Sequence, residues 1–180
     1  DKEELHNKIG ADSKTEIVLG ELRDEVIDSL DIMVMSPGVP TDLPIVNKIR
    51  EKGVRIWGEI ELAYRVGKGD VLAITGTNGK TTTTALLGEI MKAWKDNVYV
   101  VGNIGTPYTS IADKTTDDTI IVAEISSFQL ETVEQFRPKV SAILNITPDH
   151  LDRHHTMQAY IEAKETIAKN QDSKDICVLN

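Results

Sequence analysis

The sequence predicts an α/β protein in which a mostly parallel sheet is flanked by helices. Short apolar runs rich in β-branched residues alternate along the chain with stretches whose apolar residues recur at helical spacing. The runs are apolar throughout, as expected for parallel strands that are covered on both faces. In addition, each chemically suggestive cluster of side chains follows an apolar run, which places these clusters at one edge of the sheet, where ligands bind.

The first part of the chain predicts strands that alternate with helices. The strands are at residues 32–35 and 54–57, and the helices are at residues 43–52 and 59–66. The stretch 67–70 has the sequence GKGD and is the best candidate for a linker, because glycine favours loops. We therefore expect one domain over residues 1–66 and a second domain over residues 67–180.

A stronger pattern of strands and helices follows this linker. Strands are predicted at residues 71–75, 98–101, 119–123, 140–144 and 176–179, and helices at residues 81–94 and 157–170. The first of these helices is expected to bury a stripe formed by Ala85, Leu86, Ile90, Met91 and Trp94. The succession of strand, glycine-rich loop and long helix indicates a domain of the P-loop type.

The glycine-rich loop has the residue types that bind phosphate groups. Its sequence is Gly76-Thr77-Asn78-Gly79-Lys80-Thr81-Thr82. Glycines allow backbone N–H groups to turn towards phosphate oxygens, and the start of the following helix favours negative charge. Lys80 can reach the β- and γ-phosphates, and the hydroxyl of Thr81 can bind Mg²⁺. Because Ile74 replaces the first glycine of the full Walker pattern, the match is to a shortened form; a plain turn with an exposed lysine is the alternative.

Two further clusters supply candidate metal ligands. Glu124 ends a predicted strand and would face the phosphate loop, where its carboxylate suits Mg²⁺; an acid that only favours a helix start is the alternative. The segment 145–155 contains three histidines and two aspartates. A zinc site is disfavoured there, because no cysteine is near and no H-x-x-x-H pair lies on a clear helix. We expect His150 to face the site, and His154 and His155 to be solvated.

Composition and charge restrict the class of protein. The 180 residues carry a net charge of −9, which disfavours nucleic acid or an anionic membrane surface as a partner. The single cysteine, Cys177, excludes an intrachain disulfide, and we expect it to be buried. No apolar run is long enough to cross a membrane, and the start DKEELHNK is unlike a signal peptide, so we expect a cytoplasmic monomer. Both ends of the chain are expected to be cuts.

Four motifs resemble those of the Mur ligases of peptidoglycan synthesis. They are the phosphate loop at 76–82, the segment Gly102-Asn103-Ile104-Gly105, the sequence EISSFQLE at 124–131 and the sequence NITPDHLDRH at 145–154. Two earlier segments, residues 35–40 and 57–62, are similar to the end of the first domain of a member of this family. The resemblance runs from about residue 31 to the end of the chain, with the motifs in the order of the family.

The resemblance implies a domain organisation. Members of the family have three domains: the first holds a UDP-sugar, the central one holds ATP, and the third supplies much of the adenosine and amino-acid contacts. Residues 1–66 would be the C-terminal part of the first, Rossmann-like domain, and residues 67–180 would be most of the central domain. The third domain would be absent, so we expect this chain alone to be inactive.

The resemblance also implies roles for individual residues. The phosphate loop would cradle ATP, with Lys80 on the β- and γ-phosphates, while Thr81 and Glu124 would serve one Mg²⁺ ion. His150 and Lys164 would serve a second ion. Lys164, which taken alone would be interpreted as an exposed charge on a helix, matches a family lysine carried as a carbamate, and that modification converts a cation into an oxygen ligand. The residues implied to lie along the UDP-sugar are Ser36, Gly38, Asn103, Ser126 and Gln129.

The reaction implied is ATP-dependent formation of an amide bond. The alanyl carboxylate of UDP-N-acetylmuramoyl-L-alanine would attack the γ-phosphate of ATP to give an acyl phosphate, and the amine of D-glutamate would then displace phosphate. The alternatives are another Mur-type or folylpolyglutamate-type ligase, a generic P-loop phosphotransferase or NTPase, and a non-catalytic nucleotide-binding module. The sequence SSFQL at 126–130 favours the branch of the family that adds D-glutamate.

Overall fold

The computed structural model describes Glu4, Asn7 and residues 15–180. The described strands are β1 (Ile32–Met35), β2 (Arg55–Gly58), β3 (Asp70–Thr75), β4 (Val98–Gly102), β5 (Ile120–Glu124), β6 (Val140–Ile143) and β7 (Ile176–Leu179). The described α-helices are α1 (Asp24–Asp28), α2 (Pro44–Glu51), α3 (Glu59–Val66), α4 (Lys80–Trp94), α5 (Ser127–Leu130), α6 (Leu151–His154) and α7 (Met157–Glu165). The start of the expected first domain lies outside the described residues, and so does most of the N-terminal stretch judged unlike a signal peptide.

The described chain separates into two compact units. Residues 34–41 and 56–180 form the larger unit, which contains every candidate site residue. The described residues 15–33 and 42–55 belong to the smaller one. This division differs from the domain boundary expected at residue 66. That boundary stays a prediction about the full-length protein. Strands β1 and β2 pair in a two-stranded sheet. No described helix has both the length and the apolar composition needed to cross a membrane.

Two short helices organise the smaller unit. Pro44 occupies the first turn of α2, where its missing N–H costs nothing. Val46 and Ile49 are the buried residues of α2, and Ile27 is the buried residue of α1. The ion pairs that join the two helices are Lys48–Asp24 and Lys52–Asp28. These pairs are partly exposed and contribute little stability, so the buried aliphatic side chains are the main stabilising feature.

A five-stranded sheet forms the centre of the larger unit. The strand order is β4-β5-β3-β6-β7, and every neighbouring pair is parallel. Helix α4 contacts β3, β4 and β5, and α5 contacts α7. The predicted α/β class with a parallel sheet is confirmed. Because the strands are parallel, the carboxyl ends of β3, β4, β5 and β6 meet at one edge, as the sequence predicted.

The core of this unit surrounds β5. All of its residues are buried, and Ile121, Val122 and Ala123 have no exposed surface. Burying each isoleucine or valine side chain stabilises the fold by about 1.5–3 kcal/mol. The strand extends one residue further than predicted and ends with Glu124. The apolar part of β5 therefore ends at Glu124, the polar candidate residue of this strand.

The buried face of α4 differs from the predicted stripe. The stripe members that are exposed are Ala85, Leu86, Ile90 and Trp94, whereas Met91 is half-buried. The buried residues of α4 are Thr84 and Gly88 instead. A Cβ at position 88 would collide with Val100 of β4, so the small residue lets the helix lie close to the sheet. The prediction of a buried stripe was wrong, because Leu86 and Ile90 border an apolar cavity with residues of β3 and β6 but stay exposed there.

Strand β7 lies at an edge of the described sheet, and its residues are all exposed. Cys177, in this strand, is therefore exposed, and the expectation that it is buried was wrong. That expectation assumed that an apolar strand of this type is covered on both faces. Within the described residues, β7 has a neighbouring strand only on the side of β6.

A buried carboxylate fastens α3 to the segment that precedes β6. Glu61 has no exposed surface, and it accepts hydrogen bonds from the backbone N–H groups of Glu134, Gln135 and Phe136 at 2.9–3.0 Å. The Nε of Arg65 donates a further bond at 2.6 Å. Burial raises the pKa of Glu61, but these donors outweigh burial and hold the pKa below its ordinary value of 4.5. The carboxylate is therefore charged at pH 7.

Replacing Glu61 with glutamine is expected to weaken this attachment by about 3 kcal/mol at pH 7, because a neutral amide is a poorer acceptor for several buried donors. The amides of residues 134–136 should then exchange hydrogen about 100-fold faster, measured by mass spectrometry on the full-length protein. Since the folded pKa is lowered, this contribution is complete above about pH 4.5 and is lost as the pH falls through the folded value. The difference between variant and wild type should therefore shrink below about pH 4.5.

The control for this experiment is Glu134→Gln. Glu134 pairs with the same arginine, Arg65, but its side chain is 54% exposed. Because exposed ion pairs contribute little, this variant should change the exchange rate less than about threefold. Unchanged exchange at pH 7 in Glu61→Gln would contradict the prediction.

Candidate functional site

The phosphate loop between β3 and α4 is braced by the segment that follows β6. The N–H of Thr77 donates to the carbonyl oxygen of Asn145 at 2.9 Å. The N–H of Asn78 donates to Oδ1 of Asn145 at 2.9 Å, and Nδ2 of Asn145 donates back to the carbonyl oxygen of Asn78 at 3.0 Å. The hydroxyl of Thr77 also contacts the backbone of Thr147. The shape of the loop is therefore fixed from a neighbouring strand end.

Two glycines give the loop its curvature. Gly76 has φ 148° and Gly79 has φ 81°, conformations that glycine adopts at low cost. Gly79 is also the N-cap of α4, a helix of 15 residues whose first N–H groups favour an anion. Nζ of Lys80 donates to the carbonyl oxygen of Thr77 at 2.9 Å, which keeps the cation beside the loop. The predicted strand, loop and helix are confirmed, and together they present a site for phosphate oxygens.

Glu124 faces this loop from the end of β5. It is 2% exposed, and its Oε2 accepts a hydrogen bond from the Thr81 hydroxyl at 2.8 Å. Its Oε1 accepts a bond from Nδ2 of Asn103, also at 2.8 Å. The close approach needs Gly102, which has φ 103° and where a Cβ would collide with the carbonyl oxygen of Glu124. The carboxylate therefore joins the phosphate loop to the loop that follows β4.

Lys164 is buried, and the interpretation of an exposed charge on a helix was wrong. Its side chain is 1% exposed, Nζ donates to the carbonyl oxygen of Gly76 at 2.8 Å, and Nζ lies 4.7 Å from the ring centroid of Tyr160. Burial, and secondly the nearby Lys80 cation, lower the pKa of Lys164 to about 8. A larger fraction of this amine is therefore neutral near pH 8 than in an exposed lysine.

A cavity of about 230 Å³ brings together five of the candidate residues with three others. Its lining consists of Lys80, Asn103, Ser126, Ser127, Phe128, His150, Tyr160 and Lys164. This volume is smaller than a typical pocket for a whole drug-sized ligand. Two cations, an amide and several hydroxyl groups border the phosphate loop there, so the cavity suits the reacting anionic ends of larger ligands.

His150 and Gln129 reach the region of the cavity in different ways. His150 is the N-cap of α6 with a left-handed φ of 51°; its side chain is 51% exposed, and its ring centroid lies 5.0 Å from that of Phe128. Gln129 is buried, and its side chain forms a capping box with Ser126 at the start of α5. Its amide oxygen is therefore engaged within α5, while His150 remains accessible from the cavity.

Ser36 and Gly38 lie apart from this lining. They occupy an exposed turn in which the N–H of Val39 donates to the carbonyl oxygen of Ser36 at 3.0 Å. The structure thus brings Lys80, Asn103 and the groups around Lys164 together, and leaves the turn after β1 outside that cavity.

Sequence reasoning missed the contribution of His154. This residue was expected to be solvated, but its side chain is 4% exposed, Nε2 lies 2.9 Å from the Ser127 hydroxyl, and its ring stacks on Phe128 at 5.3 Å. Burial lowers the pKa of His154, so the ring is neutral at pH 7. Its position four residues after His150, one helical turn away, was the available signal. His155 is exposed, as expected.

The oxygen donors of the site fit a hard cation. The Glu124 carboxylate and the Thr81 hydroxyl share a hydrogen bond, and both are ligand types that Mg²⁺ prefers. Among Glu4, Asn7 and residues 15–180, no three histidine, cysteine, aspartate or glutamate side chains are grouped closely enough to hold a metal. A Mg²⁺ ion at Glu124 would therefore need phosphate oxygens and water for its remaining ligands.

Comparison with known protein families gives the decisive observation. Residues 74–180 match the family described as the Mur ligase middle domain. The chain belongs to the Mur ligase family. The resemblance read from the motifs is thereby confirmed, and every residue that lines the 230 Å³ cavity lies within the segment of this Mur ligase that the family matches.

Curated relatives support a more specific likeness. The chain is 59% identical over 179 residues to the UDP-N-acetylmuramoylalanine--D-glutamate ligase of Lachnoclostridium phytofermentans, covering 99% of the chain and 39% of that protein. It is 49% identical over 187 residues to the ligase of the same name from Clostridioides difficile, covering 97% of the chain and 42% of that protein. The chain thus spans about two fifths of the length of the curated relatives that it matches.

Solved structures share the fold at low sequence identity. The MurF ligase from Thermotoga maritima in complex with ADP superposes with a TM-score of 0.54 at 22% identity, covering 85% of this chain and 44% of that one. The UDP-N-acetylmuramate:L-alanyl-gamma-D-glutamyl-meso-diaminopimelate ligase from Neisseria meningitides gives a TM-score of 0.56 at 18% identity, covering 83% and 52%. Both comparisons support the α/β fold of this Mur ligase.

Proposed function

We propose that the full-length protein is an ATP-dependent ligase that joins D-glutamate to UDP-N-acetylmuramoyl-L-alanine in peptidoglycan synthesis. The observation that carries this proposal is the convergence of Lys80, Lys164, His150 and Asn103 on one cavity beside the phosphate loop, in a chain 59% identical to a ligase of that name. The use of ATP is supported by the loop itself and by the ADP complex of the MurF structure that shares this fold.

The phosphate loop is the proposed binding site for the β- and γ-phosphates. Residues 76–82 offer backbone N–H groups and the start of α4 to the phosphate oxygens. Lys80, which donates to Thr77 within the loop, has a flexible side chain that reaches an incoming phosphate. A cation at this position neutralises charge on the transferring phosphoryl group and aligns it for attack.

The UDP-sugar is proposed to enter the same cavity as the phosphate groups of ATP, on the side of the cavity that faces away from the phosphate loop. Asn103 and Ser126 line the cavity and offer an amide and a hydroxyl to the substrate. Ser36 and Gly38 contribute from the turn after β1, and Gln129 acts by orienting Ser126 through the capping box. These contacts position the alanyl carboxylate beside the γ-phosphate.

The chemical steps follow from that arrangement. A carboxylate oxygen attacks the γ-phosphorus and ADP leaves, giving an acyl phosphate; the amine of D-glutamate then attacks the acyl carbon, phosphate leaves and the nitrogen loses a proton. Thr81 with Glu124 would hold one Mg²⁺ ion, and His150 with carbamylated Lys164 would hold a second. The positive charge of the ions would reduce repulsion between nucleophile and donor. The position of Lys164 supports this proposal, because Lys164 lines the cavity and its Nζ contacts Gly76 of the loop.

The test of the function is phosphate release by the full-length enzyme. Release is expected to require ATP, UDP-N-acetylmuramoyl-L-alanine and D-glutamate together, with less than about 1% of the rate when either of the last two is omitted. Hydrolysis of ATP that is indifferent to both would favour a generic NTPase. Turnover with a different amino acid or a folate substrate would favour another ligase of the same fold.

The 180-residue chain alone is proposed to bind phosphate or nucleotide weakly and to form no amide bond, because it spans only about two fifths of its relatives. Amide formation by this chain alone would contradict that expectation. ATP and nucleotide-activated sugars are cytoplasmic metabolites, so the proposed reaction places the enzyme in the cytoplasm.

A further inference from the structure

An ion pair lies beside the cavity, outside its lining. Nη2 of Arg153 donates to Oε2 of Glu131 at 2.8 Å. The two side chains are only 15% and 13% exposed, so the pair is largely shielded from water and salt. A buried pair of this kind is sensitive to the loss of either partner, because the remaining charge is left without its counterion.

The same two side chains hold the segment that follows β1. The hydroxyl of Thr41 donates to Oε2 of Glu131 at 3.0 Å, and Nη2 of Arg153 donates to the carbonyl oxygen of Val39 at 3.1 Å. Val39 closes the turn at residues 36–39 through its bond to Ser36. The pair thus fixes the turn that is proposed to contact the UDP-sugar.

On its other side the pair contacts the elements that carry the cavity. Cζ of Arg153 lies 5.0 Å from the ring centroid of Phe128, which lines the cavity. Arg153 belongs to α6, the short helix that begins after His150, and Glu131 directly follows α5. His154, next to Arg153, bonds to the Ser127 hydroxyl. Contacts therefore run without a break from the turn after β1 to the cavity wall.

We propose that Glu131 and Arg153 are positioning residues for the ligase reaction. They hold the turn after β1 at a fixed distance from the cavity, and so align the carboxylate of the UDP-linked substrate with the γ-phosphate of ATP. This inference rests on the proposed function. Neither side chain lines the cavity, so both act through the turn and through α6. A displacement of about 1 Å at reacting atoms lowers rates by about 100-fold, which is why a pair outside the cavity affects the reaction.

The experiment uses Glu131→Gln and Arg153→Gln in the full-length enzyme, with phosphate release measured while one substrate is varied at a time. We expect the KM for UDP-N-acetylmuramoyl-L-alanine to rise at least about tenfold and kcat to fall at least about tenfold, while the KM for ATP changes less than about twofold. The kcat and KM values of the double variant should lie within about threefold of those of the less active single variant, because either change breaks the same pair. Equal changes in both KM values, or no change, would overturn the proposal.

Two further variants separate positioning from loss of stability. Arg137→Gln breaks an arginine–carboxylate contact with Asp172 and Asp175, which precedes β6 at the opposite edge of the sheet and is more exposed than the Glu131–Arg153 pair. This variant should leave the ratio of the two KM values unchanged. Thr41→Val removes one bond to Glu131 and should raise the KM for the UDP-substrate about two- to fivefold. If Glu131→Gln does not fold, the Thr41→Val variant tests the proposal instead. An unchanged KM for the UDP-substrate in Thr41→Val would then reject it.

The behaviour of the wild-type enzyme in the same assay separates a failure of the proposed function from a failure of the proposed positioning role. If it releases no phosphate in response to the UDP-substrate and D-glutamate, the proposed function fails. If it does so while Glu131→Gln, Arg153→Gln and Thr41→Val keep wild-type KM values, only the positioning role fails.

Discussion

Replacing Lys80 with alanine is expected to lower kcat of the full-length enzyme about 1,000-fold. Lys80 begins α4 and its Nζ lies beside the phosphate loop, 2.9 Å from the carbonyl oxygen of Thr77. Loss of this cation removes a positive charge beside the loop that is proposed to bind the transferring phosphoryl group. Removing one preorganised donor at such a position typically costs 100- to 1,000-fold in rate, and a full positive charge lies at the upper end.

The measurement is phosphate release at saturating concentrations of all three substrates. Lys92→Ala is the matched control, because Lys92 lies on the same helix and pairs with Glu89 at the protein surface, with half of its side chain exposed. That variant should stay within about twofold of wild type. A Lys80→Ala enzyme that keeps more than about a tenth of the wild-type rate would show that the loop lysine does not serve the reaction.

Replacing Lys164 with alanine should also reduce kcat, by about 100- to 1,000-fold, and small carboxylic acids should restore part of it. Lys164 is buried beside the phosphate loop and its pKa is lowered to about 8, so a large fraction of neutral amine exists at slightly alkaline pH. A carbamate formed there carries a negative charge next to Lys80, and it replaces an unfavourable pair of cations by a favourable pair of opposite charges. Acetate or formate in the space left by alanine supplies equivalent oxygen atoms.

Two variants separate a carbamate from a plain cation at this position. Lys164→Arg keeps a positive charge but cannot form the same carbamate, so it should be as inactive as alanine. Lys169→Ala, at an exposed lysine just beyond α7, should behave as wild type. Activity near the wild-type level in Lys164→Arg, or no rescue of Lys164→Ala by up to about 100 mM acetate, would contradict the metal role of Lys164.

Much of the fold and the position of the site were predictable from the chain itself. Apolar runs bounded by glycine and polar residues located β1 at its true limits, and the helix predicted at residues 59–66 is α3. The parallel arrangement then places the carboxyl ends of the strands together, which is why Glu124 and the phosphate loop were expected to meet. These inferences depend on local patterns and on one rule of topology.

Features that depend on long-range packing were not predictable. The burial of Lys164 depends on the packing of α7 against α5 and α6, and a lysine on a helix gives no local sign of that packing. Glu61 is held by backbone groups more than 70 residues away, which a single sequence does not reveal. Conversely, the exposure of Cys177 follows from the position of β7 at the edge of the described sheet, which apolar composition alone does not indicate.

The order of the strands has a consequence for biosynthesis. The central strand β3 acquires its neighbours only when residues 120–124 and 140–143 have been translated. At ordinary elongation rates, on the order of ten seconds pass before both edges of that strand can be paired. Contacts of such large sequence separation also slow folding, so the nascent strand β3 stays unpaired for that interval and is open to mispairing with other chains.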